Sequence, residues 1–211
     1  RNGKLVAPIA PIANWATRRG NTLTRGVLER VAGFDREAEL PTYASRTLTA
    51  QAKTNAPEVN RDAPAFGRKA VIYATCFVDY NVPQTAVDAM AVLALQGVET
   101  RLVYPVCCGM PQLEAGDIAE VAGRAEKVSA ELGTWIEDGW DIVALTASCG
   151  LMMKFEWPLI LPENDQVRAL SSATQDICEY VVGLSKAHGL AEGLSPIPGN
   201  ITLHHACHAR A

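Results

Sequence analysis

The sequence predicts an α/β protein, in which a parallel sheet of about four strands carries helices on both faces and is preceded by a helical connecting segment. Two observations lead to this class. Short apolar runs rich in β-forming residues alternate with longer segments whose apolar residues recur at helical spacing. Such alternation is typical of strand–helix–strand units, and their strands pair in parallel.

The first part of the chain is predicted to be helical and to lack a core of its own. Apolar residues Leu23, Val27 and Val31 fall at helical spacing. Asn21 is a candidate N-cap for this helix and Gly33 is a stop signal. Prolines interrupt the pattern that follows. We therefore expect this segment to lie across the next domain or to join that domain to another.

Strands and helices alternate from Lys69 onward. The predicted strands are short runs dominated by apolar residues: Ala70–Ala74, Thr100–Tyr104, Asp141–Thr146 and Ile201–His204. The predicted helices between them each have one apolar face. The first opens at Pro83, the second runs from Ile118 to Ile136, and the third is capped by Asn164 and reaches Leu184.

These elements predict three parts of the chain. Residues 1–66 form the connecting segment and residues 67–200 form one domain. Residues 201–211 are interpreted as the start of a second, similar domain whose remainder is absent, because Val71–Cys76 aligns with Thr202–Cys207.

Composition and charge exclude several classes of protein. A hydrophobic fraction of 48% and a net charge of −4 are ordinary for a globular protein and argue against a nucleic-acid partner. We find no apolar run long enough for a transmembrane helix and no secretory signal at the start. Residues 1–69 are basic, with 12 Lys/Arg against 6 Asp/Glu. They are expected to pack on their own acidic domain or to face an acidic partner or a membrane surface.

Five of the six cysteines follow predicted strands. Cys76 follows the first strand, Cys107 and Cys108 the second, Cys149 the third and Cys207 the fourth. The carboxyl ends of parallel strands meet at one edge of a sheet, so we expect these thiols to gather there. Gathered thiolates suit a soft metal ion or an iron–sulfur cluster.

For the remaining candidate residues, structural roles are favoured over functional ones. Cys178 lies inside a predicted helix and is expected to pack in the core. His204, His205 and His208 flank Cys207; imidazole binds iron and zinc, but polar residues at a strand end are more ordinary. The aromatic segment Lys154–Pro158 favours buried packing over a docking surface. No dinucleotide fingerprint or phosphate loop is found, so a bound nucleotide is not expected.

The order of the cysteines resembles that of the cysteine-rich CCG-domain family. The family pattern is a Cys, a long gap, Cys-Cys-Gly, a second long gap and Cys-x-x-Cys. Here Cys76, Cys107-Cys108-Gly109 and Cys149 match in order, but Thr146 stands where the family has the first Cys of its last motif. The likeness is closest to the iron–sulfur subunits of anaerobic glycerol-3-phosphate dehydrogenases and extends to heterodisulfide reductases.

This resemblance implies a cofactor and a role. The implied cofactor is an iron–sulfur cluster, with [4Fe–4S] favoured and zinc as the alternative. It would be held by Cys76, Cys107, Cys108, Cys149 and Cys207. The implied role is an electron-transfer subunit of an oxidoreductase complex. It would pass electrons from a flavoprotein dehydrogenase of the glycerol-3-phosphate dehydrogenase type towards membrane quinone or a related acceptor. The expected location is cytoplasmic, either free or peripheral on the inner face of the cytoplasmic membrane.

Other functions stay open at this point. Four thiolates are a common structural zinc set, so the protein could be a zinc-stapled scaffold or interaction module. A thiol/disulfide reductase of the heterodisulfide reductase type is a second alternative. An enzyme with Cys107 or Cys108 as nucleophile is a third, although no neighbouring base can be identified from the sequence.

Overall fold

The computed structural model describes residues 2–51, 57–196, 198–203 and 207–209. Its strands are β1 (Lys69–Tyr73), β2 (Glu99–Val103), β3 (Asp141–Ala144) and β4 (Thr174–Asp176). The helices before the sheet are α1 (Asn2–Val6), α2 (Ala10–Thr17), α3 (Thr22–Ala32) and α4 (Leu48–Gln51), with a 3-10 turn at Ala7–Ile9. The later helices are α5 (Cys76–Tyr80), α6 (Pro83–Leu95), α7 (Met110–Glu114), α8 (Ile118–Glu137), α9 (Ala147–Leu151), α10 (Trp157–Ile160), α11 (Asp165–Ala173) and α12 (Ile177–His188). A π-helical turn covers Met152–Glu156, and a 3-10 turn covers Cys207–Ala209.

The sheet has four parallel strands in the order β2–β1–β3–β4. Tyr73, the last residue of β1, is in register with Val103 of β2 and Ala144 of β3. These three strands therefore end at the same level, and the chain leaves all of them at one edge. The α/β class predicted from the sequence is confirmed.

Helices cover both faces of the sheet because the side chains of β1 alternate between them. Val71 and Tyr73 belong to the core cluster formed with α8 and α11. Ala70 and Ile72 belong to the cluster formed with α6 and α12. All four side chains are fully buried, as expected for a central strand of a parallel sheet.

The predicted fourth strand is wrong. Ile201–Leu203 are exposed and have no regular structure, and His204 lies outside the described residues. The fourth strand is instead Thr174–Asp176, which pairs with β3 inside the segment predicted as one helix ending at Leu184. Asp176 and Glu179 form a capping box that starts a new helix at this point.

The connecting segment lies across α5, the helix that follows β1. The backbone of Gly3 lies directly against the ring of Tyr80, where an added Cβ would come within 2.4 Å of Cδ2. The Thr49 N–H donates a 2.8 Å hydrogen bond to the buried carboxylate of Asp79. The cap at Asn21 and the left-handed stop at Gly33 are confirmed for α3.

The apolar face predicted for α3 points outward, since Leu23, Val27 and Val31 are all exposed. Within the part of the chain that the structure describes, no helix has both the length and the apolar character to cross a bilayer.

Gly97 provides a test of the packing between the connecting segment and the sheet. It has φ +88°, and a Cβ there would meet the Phe66 backbone nitrogen at 2.7 Å. Gly139 has a similar φ of +78° but open space around it. We expect Gly97→Ala to lower the free energy of unfolding by about 3 kcal/mol and Gly139→Ala by about 1 kcal/mol, measured by urea unfolding. Equal losses in the two variants would contradict the close approach at Phe66.

Candidate metal centre

Four thiols converge where the chain leaves β1, β2 and β3. Cys76 opens α5 after β1, Cys107 and Cys108 lie in the loop after β2, and Cys149 lies in α9 after β3. The sulfur atoms of Cys76 and Cys107 are 3.7 Å apart. Those of Cys108 and Cys149 are 3.2 Å apart, with the Cys108 thiol as the donor. The structure thus brings together four of the five cysteines predicted as ligands.

The two halves of this thiol cluster differ in burial. Cys108 and Cys149 are only 2% and 4% exposed. Cys76 and Cys107 are partly exposed. A small reagent or a redox partner therefore approaches the cluster from the side of Cys76 and Cys107.

Buried polar contacts hold the three strand exits in place. The hydroxyls of Thr75 and Thr146 are hydrogen-bonded at 3.0 Å, which joins the ends of β1 and β3. The indole Nε1 of Trp157 donates a 3.2 Å hydrogen bond to the carbonyl of Cys108. The Tyr73 hydroxyl donates to the carbonyl of Val106 at 2.5 Å. These bonds fix the cysteine-bearing loops against the core, because each uses a side chain that is itself packed there.

Thr146 lies where the resemblance leads us to expect a cysteine. Its hydroxyl is hydrogen-bonded to that of Thr75. The Thr146 carbonyl also accepts the backbone N–H groups of Cys149 and Gly150, which begins α9. The residue therefore connects two strand exits, and the described cluster consists of four thiols.

The loop after β2 turns at Gly109, whose φ of +90° suits glycine. The Cδ of Arg124 on α8 lies 3.3 Å from where a Cβ would be. Arg124 also donates to the carbonyl of Cys107 at 3.4 Å and forms an ion pair with Glu120. A guanidinium is thus fixed beside the partly exposed half of the cluster.

The pKa of the Cys107 thiol is held well below its usual value, because the side chains of Cys108 and Cys76 hydrogen-bond to its sulfur. The N–H of Gly109 and the charge of Arg124 lower the pKa of Cys107 further. The pKa values of Cys76 and Cys108 are raised, chiefly by their interaction with Cys107 and by burial.

The donor set fits a sulfur-ligated metal centre. Backbone N–H groups of Phe77 and Gly109 stabilise the thiolates of Cys76 and Cys107. Such bonds to sulfur are among the interactions that tune iron–sulfur sites. In the ranges 2–51, 57–196, 198–203 and 207–209, however, no group of three or more His, Cys, Asp or Glu side chains is arranged around a single metal position.

Cys207 and His208 are further candidate ligands and lie on a turn of their own. The turn that carries Cys207 and His208 lies beside α9, which carries Cys149. The Cys207 and His208 side chains are exposed. His204 and His205 lie outside the described residues.

Cys178 is not in the core, and this prediction was wrong. The residue is exposed in the first turn of α12, because the segment is split by β4 rather than continuous. Partial desolvation of the thiol and the nearby carboxylate of Asp176 raise the pKa of Cys178.

Sequence reasoning missed the residues that surround the thiols. Within Lys154–Pro158 the expected packing holds for Trp157, which is fully buried, but Phe155 is 42% exposed. The sequence does not connect Trp157 to Cys108, and it does not point to Arg124 at all. Only the position of α8 against the loop after β2 shows that Arg124 is close, and no local motif indicates that position.

Comparisons with known proteins show which family and which relatives the chain resembles. Residues 70–154 match the family model described as the CCG cysteine-rich domain. The chain is similar to one subunit of the anaerobic glycerol-3-phosphate dehydrogenases of Escherichia coli K12 and of Escherichia coli O157:H7. It is 26% identical to each, over 98% of this chain and 50% of the relative. The chain thus spans about half the length of these curated relatives. No solved structure gives a significant match. The resemblance recognised in the cysteine motifs is confirmed.

The shifted thiol pKa values predict selective alkylation of the metal-free protein. A thiolate is the reactive form of cysteine, and the pKa of Cys107 is lowered whereas that of Cys178 is raised. At pH 6 we expect iodoacetamide to modify Cys107 at least roughly tenfold faster than the more exposed Cys178.

Peptide mapping by mass spectrometry would measure both rates in one sample. As the pH rises through the ordinary range of thiol pKa values, Cys178 should gain reactivity while Cys107 changes little. Faster modification of Cys178 at pH 6 would contradict the charge assignment.

Proposed function

Since residues 70–154 match the cysteine-rich CCG domain, we propose that this protein is an iron–sulfur electron-transfer subunit of an oxidoreductase. The observation that carries the proposal is the convergence of four thiols from three strand exits. The proposed ligands are Cys76, Cys107, Cys108 and Cys149. Cys207, on the turn beside α9, is a further candidate.

The chain's own residues supply the environment of such a cluster. When bound, the cluster would accept and release electrons. Cys108 and Cys149 would hold it in the buried half of the site, away from water. The N–H groups near Cys76 and Cys107, together with Arg124, would stabilise its negative charge. The [4Fe–4S] type favoured from the sequence stays a prediction.

The proposed partners follow from the relatives. The E. coli proteins are named as subunits of an anaerobic glycerol-3-phosphate dehydrogenase. By this likeness, electrons would enter from a flavoprotein dehydrogenase of that type and leave towards membrane quinone or a related acceptor. The interpretation of residues 201–211 as the start of a second cysteine-rich domain belongs to the same proposal.

The proposed location is the cytoplasm, on the inner face of its membrane. The described cysteines are free thiols, which suits a reducing compartment. The segment formed by α1, the 3-10 turn and α2 carries an exposed apolar stripe, with Lys4 near its start and Arg18 just after its end. Its members are Leu5, Ile9, Ile12 and Trp15. An apolar stripe with flanking cations is typical of helices that lie in a membrane interface.

A zinc-held scaffold is the second candidate, because four thiols are a common zinc set. A thiol/disulfide reductase is the third candidate and draws support from the 3.2 Å separation of Cys108 and Cys149.

Metal analysis of anaerobically purified protein tests the proposed cofactor. We expect iron and acid-labile sulfide, with an electron paramagnetic resonance signal that changes on reduction. Cys149→Ala should lose most of the iron, since it removes a buried donor. Cys178→Ala should keep it, because that thiol is exposed and outside the cluster. Circular dichroism would verify that both variants are folded. Colourless, iron-free protein with zinc at full occupancy would contradict the proposal.

Vesicle binding tests the proposed location. We expect the protein to sediment with vesicles containing anionic lipid, and Ile12→Asp to weaken binding by roughly tenfold or more, since it places a charge where an apolar side chain would be buried. Leu159→Asp is the matched control, because Leu159 is 76% exposed on α10 and does not belong to the stripe. Equal effects of the two substitutions, or no binding by the unmodified protein, would contradict the interfacial role of the stripe.

A further inference from the structure

A cleft lies where the connecting segment folds back on the end of α2. One wall is the last turn of α2 with Arg18 and Arg19 after it, and the other wall is the segment 38–42. The cleft has a volume of about 460 Å³, which is within the range of sites for small ligands. None of the cysteines lines it, so it is separate from the candidate metal centre.

The segment 38–42 is held in place at both of its ends. The amide of Asn14 on α2 donates to the carbonyl of Tyr43 and accepts from the Tyr43 N–H, and both bonds are 2.8 Å long. At the other end, the guanidinium of Arg25, which is only 1% exposed, donates to the carbonyl of Ala38. These anchors keep the two walls apart, so the cleft is formed by the protein's own contacts.

The cleft carries one free charge of each sign. Arg18 and Glu39 both line it and are exposed. Within the part of the chain that the structure describes, neither side chain has an ion-pair or hydrogen-bond partner. Arg19 differs, because it is paired with Glu37 at 3.1 Å. Arg18 and Glu39 are therefore available to a ligand that carries both an anionic and a cationic group.

The chemistry of these side chains favours a phosphate and a primary amine in the same ligand. A guanidinium such as that of Arg18 binds phosphate oxygens through several N–H donors. The carboxylate of Glu39 can accept charge-assisted hydrogen bonds from a primary ammonium, whereas a quaternary ammonium has no N–H to donate. The exposed indole of Trp15, which also lines the cleft, adds an aromatic surface for a cation.

The position of the cleft favours a membrane lipid as the source of this ligand. Trp15 belongs both to the cleft and to the exposed apolar stripe of α1 and α2. A stripe that lies in a membrane interface places the end of α2 at the level of the lipid headgroups, where tryptophan is enriched. The cleft would then open among the headgroups themselves.

We propose that this cleft binds the phosphoethanolamine headgroup of a membrane lipid, with the phosphate on Arg18 and the ammonium on Glu39. The proposal rests on the membrane location proposed above and adds a headgroup preference to it. The stripe supplies apolar attachment, and the cleft distinguishes between headgroups that carry the same net charge.

Sedimentation with two kinds of vesicle tests the headgroup preference. Both kinds contain the same fraction of phosphatidylglycerol, and the remaining lipid is either phosphatidylethanolamine or phosphatidylcholine. We expect the protein to bind the phosphatidylethanolamine vesicles roughly threefold more tightly, which is the scale of one exposed ion pair. Equal binding to both would overturn this inference and leave the proposed location in place, whereas no binding to either would overturn both.

Two matched variants separate the cleft from general effects of the lipid. Glu39→Gln should lose the preference, and Glu137→Gln should retain it, because Glu137 is an exposed carboxylate at the end of α8 and outside the cleft. The two substitutions change the net charge equally, and each preference is a ratio measured on one variant. A preference that survives Glu39→Gln would overturn the inference, since lipid packing would then be its cause.

A titration with soluble headgroups tests the cleft without a membrane. Glycerophosphoethanolamine at millimolar concentration should shift the indole N–H resonance of Trp15, assigned from Trp15→Phe, more than glycerophosphocholine does. Arg18→Gln should reduce this shift and Arg30→Gln should not, because Arg30 is an exposed cation on α3 outside the cleft. The absence of a shift with either compound would overturn the inference. Micromolar binding of the soluble compound, together with equal binding to both kinds of vesicle, would overturn the assignment to a lipid and identify a free metabolite as the ligand.

Discussion

Parallel pairing of β1 with both β2 and β3 is the constraint on which the thiol cluster depends. The last residues of the three strands are in register, so the chain leaves the sheet three times at one edge. A cysteine placed at each exit then meets another within 4 Å. An antiparallel neighbour of similar length would have left the sheet at the opposite edge, about 15 Å away. Strand direction, rather than closeness in sequence, therefore creates the site.

Strand direction brings the loops together, and buried polar contacts fix their orientation. Thr75 and Thr146 join two exits through their hydroxyls, and Trp157 holds the loop after β2 through the carbonyl of Cys108. Because Thr75 and Trp157 are themselves buried, these contacts restrain the loops that carry the thiols. Prearranged donors reduce the ordering that ligand binding would otherwise require. Arg124 adds a fixed positive charge at the partly exposed side.

The sequence predicts the central part of this arrangement because its signals are local. The apolar runs of β1, β2 and β3 are visible in the sequence, and the rule for parallel sheets then places Cys76, Cys107, Cys108 and Cys149 on one edge. The sulfur–sulfur distances within the thiol cluster are not predictable in this way, because they depend on how each loop is anchored. The same is true of Arg124, whose position follows from the packing of α8.

The wrong predictions for the fourth strand and for Cys178 share one origin, the short length of β4. β4 has three residues and interrupts an apolar pattern that continues at helical spacing on both sides, so periodicity alone predicts one helix there. The capping-box spacing of Asp176 and Glu179 was the available signal for a helix start. Missing it also misplaced Cys178, which lies in the exposed first turn of α12.

Anomalous diffraction at the iron absorption edge, from crystals grown without oxygen, tests the central claim most directly. The account predicts iron bonded to the sulfur atoms of Cys76, Cys107, Cys108 and Cys149, at the edge where β1, β2 and β3 end. Iron at another position in the molecule, or the four sulfur atoms distributed over different edges of the sheet, would contradict it.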